Sequence, residues 1–247
     1  MKRLSLLDAN GRVALVTGAA GGIGRATVGL FKAAGAKVVA FDRDRARLPA
    51  SGGPVLALAG DATDEHAVRK AVEAAVARFG RLDYAVSAVG CAVSGKLDGI
   101  TLAQWKQIID INLTSAFVLA RECHAHLTRP AGAMVLLAST NGRNGGGPLS
   151  GAAYAVAKAG VINLCRYLAK EWAPEGLRVN SVMPGPVATP MLDRFSAKQH
   201  ARLKASMPLK HFAEAGEIAA AIGYLCSEHA VTMTGACINV SGGLVLD

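Results

Sequence analysis

Two side chains with the spacing of an acid–base pair, Tyr154 and Lys158, stand four residues apart in a stretch with a helical pattern. Side chains at this spacing share one face of a helix. A free tyrosine has a pKa of about 10, and a neighbouring ammonium group favours the phenolate and lowers that pKa. The pair could therefore transfer a proton at neutral pH. A half-buried tyrosine beside a solvated lysine would have the same spacing, so the pair alone leaves both interpretations open.

A glycine-rich turn occupies residues 17–24, with the sequence Thr-Gly-Ala-Ala-Gly-Gly-Ile-Gly. Glycines here allow a tight turn and let a pyrophosphate approach the backbone, and the following helix offers free N–H groups and the positive end of its dipole. Because a predicted strand precedes the turn and a predicted helix follows it, the motif has the context that it requires. We expect a dinucleotide site that includes Gly18, Gly22 and Gly24.

Three charged residues bear on the choice of dinucleotide. Asp42 ends the second predicted strand, where an acidic side chain can accept hydrogen bonds from both ribose hydroxyls of NAD and repel the 2′-phosphate of NADP. Arg43 could attract that phosphate, so the sequence favours NAD and leaves NADP open. Asp61, after the third predicted strand, could accept from the adenine amino group, or could cap a helix together with Thr63 and Asp64.

The elements that must position these residues alternate between short apolar strands and Ala-rich helices. Predicted strands cover residues 13–16, 37–41, 55–59, 84–88, 134–138, 178–183 and 237–240. Predicted helices cover residues 23–34, 65–79, 103–126, 153–172 and 217–226. Strands that are almost wholly apolar indicate a parallel sheet covered on both faces. We therefore expect an α/β fold, a Rossmann-type doubly wound parallel sheet of about seven strands with helices on both faces.

The domain organisation is expected to be simple. We find no internal repeat and no linker, which predicts one domain over residues 1–247. One long stretch, at about residues 189–212, lies outside the alternation of strands and helices. Inserts of this length are usually lids or binding loops. We expect this segment to cover the substrate.

The composition excludes several classes of protein. The chain has 247 residues, of which 51% are apolar and 18% charged, which argues against disorder. No apolar stretch is long enough for a membrane-spanning helix, and the first residues lack the apolar run of a signal peptide. The five scattered cysteines form no CxxC pair, which argues against disulfides and a structural zinc site. We expect a cytoplasmic protein without a metal.

The charge balance is basic but does not indicate nucleic-acid binding. There are 27 lysines and arginines against 18 acidic residues, giving a formal charge of +9. Only 5% of the residues are aromatic, so a surface for stacking bases is poorly supplied. We expect neither a nucleic-acid partner nor a membrane partner.

Further motifs follow the glycine-rich turn in an informative order. They are Asn112 in Ile-Asn-Leu-Thr, Ser139 after the fifth predicted strand, Tyr154-Ala-Val-Ala-Lys158, Pro-Gly at 184–185 and Thr-Gly at 234–235. With this order the chain resembles the short-chain dehydrogenase/reductase family over essentially its whole length. The resemblance implies an NAD(H)-dependent oxidoreductase that interconverts a secondary alcohol and a ketone. An NADPH-dependent biosynthetic ketoreductase, or a non-catalytic dinucleotide-binding regulator, are the alternatives.

The resemblance also implies roles for individual residues. Tyr154 would be the acid/base and Ser139 would orient the substrate. Lys158 would hold the nicotinamide ribose and lower the tyrosine pKa, and Asn112 would support a water in the proton relay. Further cofactor contacts are expected at Ile23, Ala62, Gly90, Pro184, Val187 and Thr189. The family also suggests a homotetramer, or a homodimer, with the helix at 153–172 in an interface.

The chain departs from the family pattern in two places. The fourth strand of the family usually ends in Asn-Asn-Ala-Gly, whereas this chain has Ser87-Ala88-Val89-Gly90. The missing asparagine amides would have tied this strand to its neighbours. We expect either that Ser87 takes their place or that the part of the sheet under the cofactor is held less tightly. Three glycines at 145–147 lengthen the loop between Ser139 and Tyr154, so the shape of the substrate pocket cannot be taken from a relative.

Basic residues gather in the insert. They are Arg194, Lys198, Arg202, Lys204 and Lys210, against Asp193 alone. A positive lid would suggest an anionic substrate, such as a carboxylate or a phosphate-bearing thioester carrier. The first three recur every four residues, which an outward-facing stripe on a solvated helix would also explain. Both interpretations stay open at this point.

Overall fold

The strands of the computed structural model form the parallel sheet that the sequence predicts. The structure describes residues 7–127, 132–147 and 149–246. The strands are β1 (Val13–Thr17), β2 (Lys37–Asp42), β3 (Val55–Ala59), β4 (Tyr84–Ser87), β5 (Ala133–Leu137), β6 (Arg178–Pro184), β7 (Val187–Ala188), β8 (Ala213–Glu214) and β9 (Cys237–Val240). Seven of these described strands pair in the order β3-β2-β1-β4-β5-β6-β9, every pair parallel, and β7 pairs separately with β8.

Helices cover both faces of this sheet. They are α1 (Gly22–Ala33), α2 (Glu65–Phe79), α3 (Leu102–Ile109), α4 (Ser115–His124), α5 (Asn141–Asn144), α6 (Ala152–Trp172), α7 (Ala197–Ser206) and α8 (Ala215–Cys226). Residues of α2, α4 and α6 pack into one apolar core, and residues of α1 and α8 pack into another. The strands lie between the two cores and contribute to both, as the nearly continuous apolar strands predicted. The predicted fold class is confirmed.

The strand order reverses between β1 and β4. The chain builds outward from β1 through β2 to β3, then returns to place β4 on the other side of β1. Thr17 and Ser87 are paired at the carboxyl ends of these two strands. Open parallel sheets bind their ligands in the crevice outside such a point.

A buried carboxylate fixes the opposite ends of the same two strands. Asp83 is fully buried, and its Oδ2 accepts from the backbone N–H of Val13 at 2.9 Å. The guanidinium groups of Arg12 and Arg81 also donate to this carboxylate, at 2.9 and 2.8 Å. Because a buried charge must be paired, this cluster holds β1 and β4 side by side.

Two longer regions differ from the sequence expectation, and the short elements α5, β7 and β8 were also not predicted. The predicted helix at 103–126 consists of α3 and α4 joined by one wide helical turn at 110–114, with i to i+5 hydrogen bonding. The insert contains α7, which was not predicted because most of its residues are exposed and show no apolar stripe. Its N-terminal signal was present in the sequence: Ser196 and Gln199 form a capping box.

Candidate active site

A large cleft opens at the carboxyl ends of the central strands. Its volume is about 1020 Å³, and its walls are the glycine-rich turn, the ends of β4, β5 and β6, the start of α6, and the segment from Thr189 to Ser206. A cleft of this size can hold a dinucleotide end and a small substrate together. It lies where the reversal of strand order predicts a ligand site.

The glycine-rich turn is packed too tightly for side chains. Gly18 has φ of +74°, and a Cβ there would lie 2.6 Å from the carbonyl carbon of Ala88. A Cβ at Gly24 would collide with the carbonyl oxygen of Gly18. The turn therefore folds against the end of β4 only because these two residues are glycines.

The N-terminus of α1 is left open toward the cleft. Its N-cap residue, Gly21, offers no side-chain hydrogen bond, whereas Asp64, Thr101 and Ser196 cap α2, α3 and α7 with theirs. Gly22, Ile23 and Gly24 line the cleft, and the first turn of α1 contains no acidic residue. Uncapped N–H groups at the positive end of a helix dipole fit a pyrophosphate, so these residues fit the dinucleotide that the motif implies.

Asp42 is held beside the glycine-rich turn. Its Oδ2 accepts from the backbone N–H of Ala20 at 3.0 Å, and its Oδ1 accepts from the backbone N–H of Asp44 at 2.9 Å. The side chain is half-buried, whereas Arg43 is exposed. The carboxylate is thus fixed in orientation at the end of β2, next to the turn, as binding of a ribose there would require.

Four of the expected cofactor contacts do not line the cleft itself: Gly18 and Asp42, at the glycine-rich turn, and Asp61 and Ala62. Asp61 is exposed, and its Oδ1 accepts from the backbone N–H and the hydroxyl of Thr63, both at 2.8 Å. Ala62 is buried in the core beside α2. Asp64, not Asp61, caps α2. Asp61 therefore orders the turn before the helix, and its contact with adenine stays a prediction.

The residues of the expected acid–base site converge in the cleft. Ser139 follows β5, and Tyr154 and Lys158 lie on the first two turns of α6; all three line the cleft. The Nζ of Lys158 is 5.9 Å from the centroid of the Tyr154 ring. Ser139 hydrogen bonds to the tyrosine side chain and also accepts from the backbone N–H of Asn141 at 3.2 Å. A serine hydroxyl, a phenol and an ammonium group thus share one pocket.

Lys158 is a buried cation held by main-chain carbonyls. Its Nζ donates to the carbonyl of Leu137 at 2.8 Å and to that of Val89 at 3.3 Å, and the residue is 2% exposed. These carbonyls belong to the end of β5 and to the loop after β4. Burial disfavours the charged form and lowers the pKa of Lys158 to about 8.

Burial and two neighbouring groups shift the pKa of Tyr154. Burial raises the pKa of the tyrosine, while the hydrogen bond with Ser139 and the charge of Arg194 lower it. The resemblance assigned the lowering to Lys158. Lys158, whose own pKa burial lowers to about 8, is not among the groups that shift the pKa of the tyrosine. Its expected lowering of that pKa stays a prediction.

Asn112 shapes the floor of the cleft from the wide turn between α3 and α4. Its Nδ2 donates to the carbonyls of Cys91 and Ile108 at 2.8 and 2.9 Å, and its Oδ1 accepts from the N–H of Cys91 at 3.2 Å. Wide turns of this kind occur frequently at functional sites. A Cβ at Gly90 would lie 3.2 Å from this Oδ1 and 3.5 Å from the Nζ of Lys158, so the loop passes close to both side chains. Asn112 is buried and does not itself line the cleft, but it positions the loop that does; its expected role in holding a water stays a prediction.

The unusual end of β4 is tied to its neighbour by the main chain. The N–H of Ala88 donates to the carbonyl of Thr17 at 3.0 Å, and the hydroxyl of Thr17 reaches the carbonyl of Val86 at 3.4 Å. Ser87 is buried within β4. Backbone pairing thus continues past β4 into the glycine-rich turn, where the family usually supplies amide side chains.

The far wall of the cleft is formed by the chain after β6. Pro184, the last residue of β6, lines it together with Val187 and Thr189, and their contacts with a cofactor stay a prediction. The hydroxyl of Thr189 donates to the carbonyl of Val187 at 3.2 Å. The pairing of β7 with β8 fixes the two ends of the insert, so that α7 lies beside the cleft.

Sequence reasoning missed the position of Arg194. It precedes α7, and its guanidinium donates to the carbonyl of Ala92 and, at 3.1 Å, to that of Leu149. Arg194 and Arg202 line the cleft, and Lys198 is exposed and does not. Arg194 therefore does not belong to a stripe on α7, whereas Arg202 lies on α7 and is exposed beside the cleft. Nothing in the sequence pattern distinguishes them from Lys198, because all three share one spacing.

Comparison with known proteins identifies the family. A family model described as enoyl-(acyl carrier protein) reductase matches residues 18–245. The cis-4-hydroxycyclohexanecarboxylate dehydrogenase of Sinomonas cyclohexanicum is 38% identical over 94% of this chain and 96% of its own. The 3-oxoacyl-(acyl-carrier-protein) reductase of Escherichia coli is 34% identical over 97% and 100%. A short-chain dehydrogenase/reductase structure from Brucella melitensis has a TM-score of 0.93 at 32% identity, covering 98% of this chain and 99% of that one.

This chain belongs to the short-chain dehydrogenase/reductase family. It is an oxidoreductase of the class that acts on alcohol and keto groups. None of the described helices is long and apolar enough to cross a bilayer. Within residues 7–127, 132–147 and 149–246, no three metal-ligating side chains are grouped as they would be around an ion.

The burial of Lys158 predicts a pH-dependent contribution to stability. Its pKa is about 8 in the folded protein against 10.5 for a free lysine, so between these values the unfolded chain binds more protons. The free energy of unfolding of the native protein, minus that of Lys158→Met, should therefore rise between pH 8 and 10.5, by about 3 kcal/mol. Urea unfolding at a series of pH values measures this difference. Lys170→Met, which removes an exposed lysine from the same helix, is the control. If the difference in unfolding free energy is independent of pH for both variants, the lowered pKa of Lys158 is contradicted.

Proposed function

We propose that this protein is an NAD(H)-dependent oxidoreductase that interconverts a secondary alcohol and a ketone by hydride transfer. The observation that carries the proposal is the meeting of Ser139, Tyr154 and Lys158 in one cleft with an uncapped helix N-terminus at its other end. A non-catalytic regulator would need the fold and the dinucleotide site but not this set of side chains.

The chain's own residues handle the proton and the orientation of the substrate. Bound NAD would supply the hydride acceptor at its nicotinamide ring, and the redox chemistry belongs to that group. The hydroxyl of Ser139 forms a hydrogen bond with the substrate oxygen and holds that oxygen beside the phenol of Tyr154. Tyr154 removes the hydroxyl proton during oxidation and returns it during reduction. Lys158 holds its ammonium between the floor carbonyls, in place to bind the nicotinamide ribose.

A second candidate is an NADPH-dependent reductase of 3-oxoacyl thioesters. The relative from Escherichia coli and an acetoacetyl-CoA reductase from an Acinetobacter strain, 34% identical over 95% of this chain, carry names of that class. Arg43 and Arg47 follow Asp42 and could bind a 2′-phosphate; Arg47 lines the cleft. We favour NAD because the Asp42 carboxylate is fixed beside the glycine-rich turn, where it repels that phosphate.

We also propose that the protein is a cytoplasmic homotetramer, or a homodimer, with α6 in an interface. Phe117 on α4 is 45% exposed, and Val156 and Tyr167 on α6 are 50% and 62% exposed. Large apolar side chains exposed on neighbouring helices are typical of surfaces between subunits. The proposal is independent of the catalytic one.

Replacement of the proposed acid/base should abolish most of the turnover. Tyr154→Phe keeps the ring packing and removes the proton donor, so kcat should fall by about 100-fold or more while NAD still binds. Turnover is followed by nicotinamide absorbance on a panel of secondary alcohols and ketones, and binding by NADH fluorescence. Tyr224→Phe, at a half-buried position of α8 that does not line the cleft, should keep full activity. Near-normal turnover of Tyr154→Phe would contradict the role.

Removal of the ribose-binding carboxylate should narrow the preference for NAD. Asp42→Ala loses charged hydrogen bonds, so kcat/KM for NAD should fall by about 10- to 100-fold while that for NADP falls less or rises. The ratio of the two values is measured with one alcohol, and Asp98→Ala, an exposed carboxylate that does not line the cleft, is the control. A native enzyme that already prefers NADP would favour the second candidate instead.

A further inference from the structure

The guanidinium of Arg194 bridges the mouth of the cleft. It donates to the carbonyl of Ala92, in the loop after β4, and to that of Leu149, in the loop before α6. Its Cζ lies 4.8 Å from the ring centroid of Phe195, which stacks against it. Its positive charge lowers the pKa of Tyr154. The guanidinium is therefore fixed on the substrate side of the proposed acid/base.

The charge of Arg194 has no acidic partner among the described residues. None of the ion pairs found in the described parts of the chain includes it. The described residues that line the cleft include no aspartate or glutamate, and their charged members are Arg47, Lys158, Arg194 and Arg202. Lys158 lies on the floor, and Arg47 follows β2 on the dinucleotide side. The two arginines of the insert thus leave the substrate end of the cleft positive.

A guanidinium with this geometry retains donors for a ligand. It has five N–H groups, and the two carbonyls use one on each terminal nitrogen. The remaining donors can form a two-bond contact with a carboxylate, which a neutral carbonyl cannot match. Arg194 is exposed to the cleft, so a ligand can reach it without displacing a protein side chain.

Much of the substrate end is apolar, although Asn144, Ser150 and Gln199 also line it. Leu149, Met191, Phe195 and Leu203 line the cleft around the guanidinium. A substrate that fits here has a hydrocarbon body, with the reacting carbon at Tyr154 and an anionic group at the insert.

We propose that Arg194 determines substrate specificity by binding a carboxylate, so that the substrates are compact hydroxy acids and keto acids. The inference rests on the proposed function, because it takes the carbon beside Tyr154 as the reacting carbon. It goes beyond that function by naming the acidic group and the residue that selects it.

The test compares the binding of acids with that of their uncharged amides. Isothermal titration calorimetry measures binding of 4-oxopentanoate and 5-oxohexanoate, and of the two matching carboxamides, to the enzyme saturated with NAD, where no turnover occurs. The native protein should bind at least one acid about 10-fold more tightly than its amide. In Arg194→Gln that advantage should disappear, and the affinity for the amide should change less than threefold. Arg194→Lys should keep part of the advantage, because it keeps the charge and loses the planar fork.

A control variant and titrations without cofactor distinguish failure of this inference from failure of the proposed function. Lys198→Gln removes a neighbouring lysine that does not line the cleft, so it should leave the acid–amide ratio unchanged. Three outcomes would each overturn the inference. The native protein could bind acids and amides with equal affinity, or Arg194→Gln could lower the affinity for both equally. Lys198→Gln could also change the acid–amide ratio as much as Arg194→Gln does. The titrations are repeated without cofactor. Failure of NAD to bind contradicts the proposed function, while the acid–amide ratio still tests Arg194.

Discussion

A single buried ammonium group holds the site together. The Nζ of Lys158 joins α6 to the end of β5 and to the loop after β4 through the carbonyls of Leu137 and Val89. Charged lysines are almost never fully buried without a partner, and carbonyl dipoles are a weak substitute for a counter-ion. The position of Tyr154, one helical turn away, and the course of the cleft floor both depend on this contact.

The protein alone leaves this cleft with excess positive charge. Burial lowers the pKa of Lys158 to about 8 and raises that of Tyr154, so at neutral pH the lysine keeps its charge and the phenol stays neutral. Arg194 and Arg202 add positive charge from the insert, and no described acidic side chain lines the cleft. Anionic groups that enter such a site, a dinucleotide pyrophosphate at the uncapped α1 and a carboxylate at Arg194, restore the balance.

The sequence predicted the sheet, the glycine-rich turn and the place of Ser139 because these follow from local periodicity and motif context. It did not predict α7, since a polar helix without an apolar stripe has only its caps as a signal. It placed Arg194 in a stripe with Lys198, although the guanidinium contacts two loops about 100 and 45 residues away, at Ala92 and Leu149. It did not predict the burial of Tyr154 and Lys158, because spacing shows which groups are neighbours and not how deeply they are buried.

The most direct test of the account follows a deuterium atom. The enzyme is given NADH labelled with deuterium at C4 of the nicotinamide, on each face in turn, with a ketone that it turns over, in ordinary water. The account predicts, with one of the two labelled faces, one deuterium on the carbinol carbon of the product, as hydride transfer requires, and a hydroxyl proton supplied through Tyr154 from solvent. Product formed without deuterium from either labelled cofactor, or no product with any ketone or cofactor, would contradict it.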